Sequence, residues 1–422
     1  MKLDYLSLRQ ILIKIKQREL SCVKVAEHFA QNIKKNSHLN SIIYFNYEKC
    51  IEDANKLDKL ADIGKFSGRL HGAPLIIKDN IHIKGVPNTA GSPALENFIP
   101  KHDAPVVEIL RNEGALFMGK ANLHEFSFGV TTNNGKFGTC KNAKNIEYFP
   151  GGSSGGTGSS IGAHLVPAGL GTDTGGSVRI PSSVNGICGL RPTHLRYSNF
   201  GVTPLSFSRD TIGPMANFVD DLILLDEIIT GDKFEYNSDN RNLAGIRLGV
   251  SSDYLCGDLE SEVSESFELA KKVLETNGAT LVEVDSSRLK KANEDSSFDF
   301  LYFETNRDLS QYLFQNGIKL SLEDVSKKVA SPDVRDLFKI VLNKCGKKNS
   351  EYYDLMHVKR PALKRAYQEI FCKHNLNALV FPTLPCLPAR IDSKNVSISS
   401  FIRNMDPGSQ AGKFLIKILK FN

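Results

Sequence analysis

In the stretch LSLRQILIKIK, charged residues are interspersed with leucine and isoleucine, and Ser7 followed by Gln10 resembles a capping box. That pattern predicts a helix over 7–18, with further helices over 21–35 and 47–60. The spacing changes at HGAPLIIKDN. Pro74–Ile77 is a short branched run bounded by Gly72 and Asp79, which predicts a buried strand with Lys78 at its end. DAPVVEILRNE at 103–113 then predicts a helix capped by Asp103, closed by Gly114 and followed by the strand ALFMG. Later segments repeat the rhythm: strands at 246–252 (IRLGVSS) and about 280–284, helices at about 259–276 and 350–374, and a strand NALVFP ending near 382.

This alternation is that of an α/β protein. No repeat or Pro/Ser-rich linker divides the chain, so one large domain is expected over 61–412. Residues 1–60 form a helical segment packed on it, and a helical cover occupies about 290–375. The last ten residues, KFLIKILKFN at 413–422, form an atypical tail with enough apolar character for an edge strand.

The chain has 422 residues, 41% hydrophobic and 24% charged, which is ordinary for a globular protein. A net charge of +6 comes from lysines spread along the chain beside acids, a solvated surface that offers no nucleic-acid partner. Eight cysteines form no CxxC pair or zinc-spaced cluster, so no metal is expected. The N-terminus lacks a secretory pattern, and no run approaches 18 apolar residues. A cytoplasmic protein without membrane or cofactor is the expectation.

Residues 150–193, PGGSSGGTGSSIGAHLVPAGLGTDTGGSVRIPSSVNGICGLRPT, carry the chemistry. Glycines and hydroxyls suggest a linker, yet IGAHLVPAGLG and VNGICGL look packed. A phosphate loop needs a lysine after the glycines, and none follows. Gly151–Gly155 satisfies G-x-S-x-G, but residues 142–150 read as irregular where a nucleophile elbow wants a strand. His357 and His374 lie inside helical stretches. The remaining arrangement uses Lys78. A buried lysine loses its charge and can accept a proton. With Ser153 between Lys78 and Ser177, the Ser177 proton can pass to the amine without a histidine. The turn Thr174-Gly175-Gly176-Ser177 exposes backbone N–H groups suited to an oxyanion.

From about 71 to 229 the chain resembles the amidase signature family. The likeness rests on KDN at 78–80, PGGSSGG, GTDTGGSVRIPSS and GICGLRPT. ANLHEFSFGVTTNN at 121–134, SFSRDTIGPMA at 206–216, SPDVR at 331–335 and RNMDPGSQAG at 403–412 resemble the indoleacetamide and mandelamide hydrolase branch. The resemblance implies an α/β/α domain with a mixed twisted sheet of about eleven strands. It implies Lys78 as general base, Ser153 as bridging serine at a cis peptide, and Ser177 as acyl-enzyme nucleophile. Backbone N–H groups of Thr174, Gly175, Gly176 and Ser177 would form the oxyanion hole.

Asp79, Asn80, Ser154, Asp173 and Arg179 are expected to support these groups. By the same resemblance His124, Phe128, Val130, Thr131 and Thr132 lie beside the acyl pocket, and the substrate is a small amide such as an arylacetamide. Cys140 and Cys188 read as packing residues. Dimers are common in the family, although no pattern here fixes an interface.

Two other readings remain. One is the amidotransferase subunit that acts on misacylated glutamyl-tRNA, against which LHEF stands where that subunit has an MDEF-type segment. The other is a shortened protein without catalysis, because the tail departs from the family's continuation.

Overall fold

The computed structural model describes residues 2–235, 242–253, 255–257, 259–296, 300–344 and 349–392. They fall into two compact units. The first joins the described residues of 2–234, 304–342 and 388–392, and the second joins those of 235–303 and 343–387.

The first unit is built on strands β1 (Ile42–Tyr44), β2 (Pro74–Lys78), β3 (Leu116–Ala121), β4 (Asn133–Asn134), β5 (Gly138–Thr139), β6 (Ala168–Asp173), β7 (Cys188–Gly189) and β8 (Thr211–Ala216). Six of them make a mixed sheet in the order β1-β3-β2-β6-β8-β7, and β4 and β5 pair separately. β2 runs parallel to both β3 and β6, and β8 lies antiparallel to β6. Its helices are α1 (Leu8–Lys16), α2 (Cys22–Lys35), α3 (Tyr47–Asp62), α4 (Pro105–Asn112), α5 (Gly155–Gly162), α6 (Arg179–Asn185) and α7 (Val219–Thr230). The Ser7/Gln10 capping box of α1 is present in full.

Every residue of β2 is buried, and its side chains divide between two cores as strand alternation requires. Leu75 and Ile77 pack with Val106, Val107 and Leu110 of α4 and with Leu222, Leu225 and Ile228 of α7. Ile76 joins Val25 and Phe29 of α2 and Ile161 of α5. Lys78 continues the alternation onto the face of Ile76, the face that carries α5. Helix α5 is buried throughout because it is made of small residues. A Cβ on Gly156 would lie 2.3 Å from Asn122 O and 2.4 Å from Ser41 O. The glycine richness of this segment therefore serves close packing.

The second unit holds a sheet ordered β10-β9-β11, from β9 (Arg247–Val250), β10 (Thr280–Glu283) and β11 (Ala378–Leu379), with both pairings parallel. Eleven strands are thus present among the described residues, but they are spread over sheets of six, three and two. Three local expectations change. Asp103 does not cap its helix: Ala104 precedes Pro105 as N-cap, and Asp103 instead accepts from Lys84 N and pairs with Arg111. The helix expected over 350–374 is interrupted by a π turn at Leu355–Lys359. The strand NALVFP shrinks to Ala378–Leu379. RNMDPGSQAG and the tail 413–422 lie outside the described residues. Among those residues no helix is long and apolar enough to cross a membrane.

Candidate active site

Lys78, Ser153 and Ser177 all belong to the first unit. Lys78 is fully buried, and its Nζ donates to Ser153 Oγ at 2.8 Å and to Thr172 Oγ1 at 2.7 Å. Burial lowers its pKa from the ordinary lysine value to about 7, although the charges of Asp173 and Asp210 oppose the shift. Burial thus favours the neutral amine, which can accept a proton. Thr172 enters this arrangement as the residue on β6 whose hydroxyl also accepts from Asn80 Nδ2 at 3.0 Å.

Ser153 sits in the turn that leads into α5, and the Gly152–Ser153 peptide is cis. The turn is held at several points. His124 N donates to Ser153 O at 3.1 Å. Thr132 Oγ1 donates to Gly151 O at 2.8 Å and accepts from Gly155 N at 3.1 Å. Ser154 ties the start of α5 to β6, because its Oγ donates to Thr172 O and accepts from Thr172 N. This approach requires Gly171, where a Cβ would lie 2.8 Å from Ser154 Oγ.

Ser177 is buried and follows directly on the turn leaving β6, and its carbonyl accepts from Ser154 N at 3.1 Å. The two serine-bearing turns therefore meet through backbone as well as through the sheet. Among the described residues the Ser177 hydroxyl makes no protein hydrogen bond, nor do the N–H groups of Thr174, Gly175 and Ser177. The N–H of Gly176 is already used, donating to Asp173 Oδ1 at 2.8 Å. Gly176 has φ of 131°, a conformation that side chains resist.

Asp173 is the hub of the turn. It is fully buried, and Arg179 binds both carboxylate oxygens at 2.9 Å. Arg191 reaches Asp173 Oδ1 at 2.9 Å and also the Asp173 carbonyl. Burial alone would raise its pKa. The two guanidiniums and the Gly176 N–H outweigh that and hold the carboxyl well below the usual range. Thr174 is clamped from the other side, with its hydroxyl on Asp210 and its carbonyl on Arg209 Nε at 2.9 Å.

Asp79 points into a buried ion pair with Lys120 Nζ at 3.2 Å and accepts from Thr89 N at 3.0 Å. Burial pushes its carboxyl up and the Lys120 amine down, each opposed by the other's charge. Asn80 spans Thr172 and Ser127. Residues of the 124–132 segment contact the Ser153 turn. His124 is fully buried, with Nε2 on Asp333 at 3.0 Å and Nδ1 3.3 Å from both Thr131 Oγ1 and Thr132 N. Phe128 packs with its ring centroid 6.3 Å from that of Phe338, and Val130 is half-buried. Cys140 is buried with its thiol pushed up to about 12, and burial raises the Cys188 thiol as well.

Sequence reasoning missed Thr172, Arg191, Asp210 and Asp333. Thr172 was readable within GTDTGGS as a hydroxyl on the strand beside Lys78. Arg191, Asp210 and Asp333 lie within the GICGLRPT, SFSRDTIGPMA and SPDVR segments, but their roles depend on pairing with Asp173, Thr174 and His124, which those segments do not announce. Among the described residues no group of three His, Cys, Asp or Glu side chains is placed to hold a metal.

Comparison with known proteins identifies the family. The model of the Amidase family matches residues 24–408. Mandelamide hydrolase from Pseudomonas putida is 36% identical over 425 residues, covering 96% of this chain and 83% of its own. Indoleacetamide hydrolase from Agrobacterium vitis is 34% identical over 415 residues, covering 96% and 88%. A crystal structure of amidase superposes with a TM-score of 0.82 at 28% identity, covering 93% of this chain and 85% of its own. The protein is therefore an amide-hydrolysing enzyme on a mixed α/β scaffold. The chain belongs to the amidase signature family.

Proposed function

We propose that the protein hydrolyses a small carboxamide, of the arylacetamide kind, to a carboxylate and ammonia through Lys78, Ser153 and Ser177. The observation that carries this reading is the 2.8 Å contact between Ser153 Oγ and a buried Lys78 amine whose pKa falls to about 7. Ser177 Oγ attacks the carbonyl carbon while its proton moves to Ser153, and the Ser153 proton moves to neutral Lys78. The new C–O bond leaves the negative charge on the former carbonyl oxygen. The free N–H groups of Thr174, Gly175 and Ser177 are available to it, and removing one such donor typically costs ~3–4 kcal/mol.

Lys78, now an ammonium, returns a proton through Ser153 to the nitrogen, the C–N bond breaks and ammonia leaves. Water then attacks the Ser177 ester, gives its proton along the same path and releases the acid. Asp173, with Arg179 and Arg191, keeps the turn in shape, and Asp79 and Asn80 fix the end of β2. Phe128 and Val130 form part of the acyl wall in this reading, and the aromatic relatives support an aromatic acyl group. A reducing, cytoplasmic setting suits the seven described cysteines, all of them free.

Ammonia release from mandelamide, indoleacetamide, a short aliphatic amide and glutamine tests the reading. Turnover of an aryl amide that disappears in Ser177→Ala is expected. Turnover of glutamine alone would move the protein toward the amidotransferase subunits, and undiminished turnover in Ser177→Ala would remove the nucleophile.

A further inference from the structure

We propose that His124 and Asp333 act as a pair of positioning residues that hold Ser153 in line with Lys78, and that His124 does not touch substrate. The inference rests on the reading in which Ser153 relays the proton. Thr132 N–H donates to His124 Nδ1 at 3.3 Å, so Nδ1 is unprotonated and the ring proton sits on Nε2. That N–H donates to the Asp333 carboxylate at 3.0 Å. Both nitrogens are thereby committed to protein, and the ring is fully buried.

From the ring, the contacts lead to the catalytic turn by two routes. The backbone N–H of His124 donates to Ser153 O at 3.1 Å. Thr132, held by Nδ1, binds Gly151 O at 2.8 Å and Gly155 N at 3.1 Å through one hydroxyl. Residues 151, 153 and 155 are thus each tied to the 124–132 segment. The packing leaves no slack. A Cβ on Gly129 would lie 2.2 Å from His124 Cε1, and one on Gly152 would lie 2.7 Å from Thr131 N.

At the other end, Asp333 stands in the first turn of the Pro332–Lys344 helix. The neighbouring Glu125 carboxylate accepts from Ala330 N at 3.1 Å and from Ser331 N at 2.7 Å. Two adjacent residues of the 124–132 segment therefore fasten the start of this helix. Burial pushes the Asp333 carboxyl up, while hydrogen bonds from His124 and from the backbone N–H groups of Val334 and Asp333 act to bring it down. The catalytic turn is in this way registered against a helix that lies about 200 residues further along the chain.

The consequence is kinetic. Ser153 must stay within hydrogen-bond reach of Lys78 while the proton crosses, and a displacement of about 1 Å costs on the order of 100-fold. The test compares His124→Ala, His124→Gln, Asp333→Ala and Thr132→Val with Ser153→Ala and Ser177→Ala. It reads kcat and KM on the best aryl amide, melting, and the labelling rate of Ser177 by a fluorophosphonate, which needs no substrate.

His124→Ala, Asp333→Ala and Thr132→Val should each lower kcat and labelling about 10- to 100-fold with KM unchanged. His124→Gln, whose amide can accept from Thr132 and donate to Asp333, should recover part of the loss. If His124→Ala fails to melt cooperatively, Thr132→Val and Asp333→Ala decide. Wild-type kcat and labelling in those variants, or a raised KM at unchanged kcat, overturns the proposal. Full labelling and turnover in Ser153→Ala would instead overturn the relay on which it rests.

Discussion

Lys78 and Asn80 share one acceptor: Nζ donates to Thr172 Oγ1 at 2.7 Å and Asn80 Nδ2 donates to the same oxygen at 3.0 Å. Thr172 thus stabilises the charged form of a lysine that burial drives toward neutrality, to about 7. In the proposed mechanism only the neutral amine acts as base. The free-enzyme profile of kcat/KM should accordingly rise with pH and level off above about 7. Thr172→Val removes an acceptor from the ammonium and should move this acid limb to lower pH. An acid limb that stays in place in the variant would detach the profile from Lys78.

The same lysine should weaken the folded state. The unfolded chain binds a proton on Lys78 up to an ordinary value near 10.4, whereas the folded chain gives it up near 7. Between those values the unfolded state holds more protons, so this site makes stability rise with pH across the window. Lys78→Met keeps the apolar volume and removes the buried amine. It should abolish turnover and raise stability by ~0.5–2 kcal/mol at pH 7, a gain that shrinks toward pH 10. Urea denaturation at both pH values measures it, and a less stable variant at pH 7 would mean that the bonds to Ser153 and Thr172 outweigh the burial.

Much of this centre was legible because its residues follow local rules. PLIIK is apolar enough to be a buried strand, and that fixed Lys78 at its end before any neighbour was known. GGSSGG and TDTGGS carry their glycines where the chain packs closely or turns, so Ser153 and Ser177 stood out. What could not be read depends on partners remote in sequence. Nothing near position 124 announces Asp333, and nothing in GTDTGGS announces Arg191 or Asp210. Asp103 misled for a local reason: Pro105 already supplies the first helical residue, which makes Ala104 the cap and frees the carboxylate for Lys84 and Arg111. The division of eleven strands among three sheets follows from pairing, which strand patterns alone leave open.

Asp173 carries the largest structural penalty expected at the site. Asp173→Ala would leave the Arg179 and Arg191 guanidiniums without their buried partner and free the Gly176 N–H. Breaking a buried pair by removing one member typically costs ~3–5 kcal/mol. The variant should show a lower urea midpoint at unchanged slope. The pH response has a fixed sign. The folded carboxyl lies below its unfolded value, so its contribution is complete above about 4 and is lost as pH falls further. Asp173→Ala should therefore be less sensitive to acid than the wild type, and equal acid sensitivity would place the charge elsewhere.

Asp210 behaves in the opposite sense and offers the sharper experiment. Burial raises its carboxyl to about 6 despite bonds from Thr174, Leu205 N and Ser206 N. Between about 4 and 6 the folded protein holds a proton that the unfolded chain has released, so this group makes stability fall as pH rises through that window. Asp210→Asn can keep its oxygen on the two N–H groups, which both bind Oδ2, and turn its NH2 toward Thr174 Oγ1. Thermal melts from pH 4 to 7 should therefore lose part of their slope in the variant, with no drop in Tm at pH 7. A lower Tm at pH 7 would show that the ionised carboxylate is what holds Thr174. Because Thr174 is one of the residues offering a free N–H beside Ser177, kcat should then fall with it.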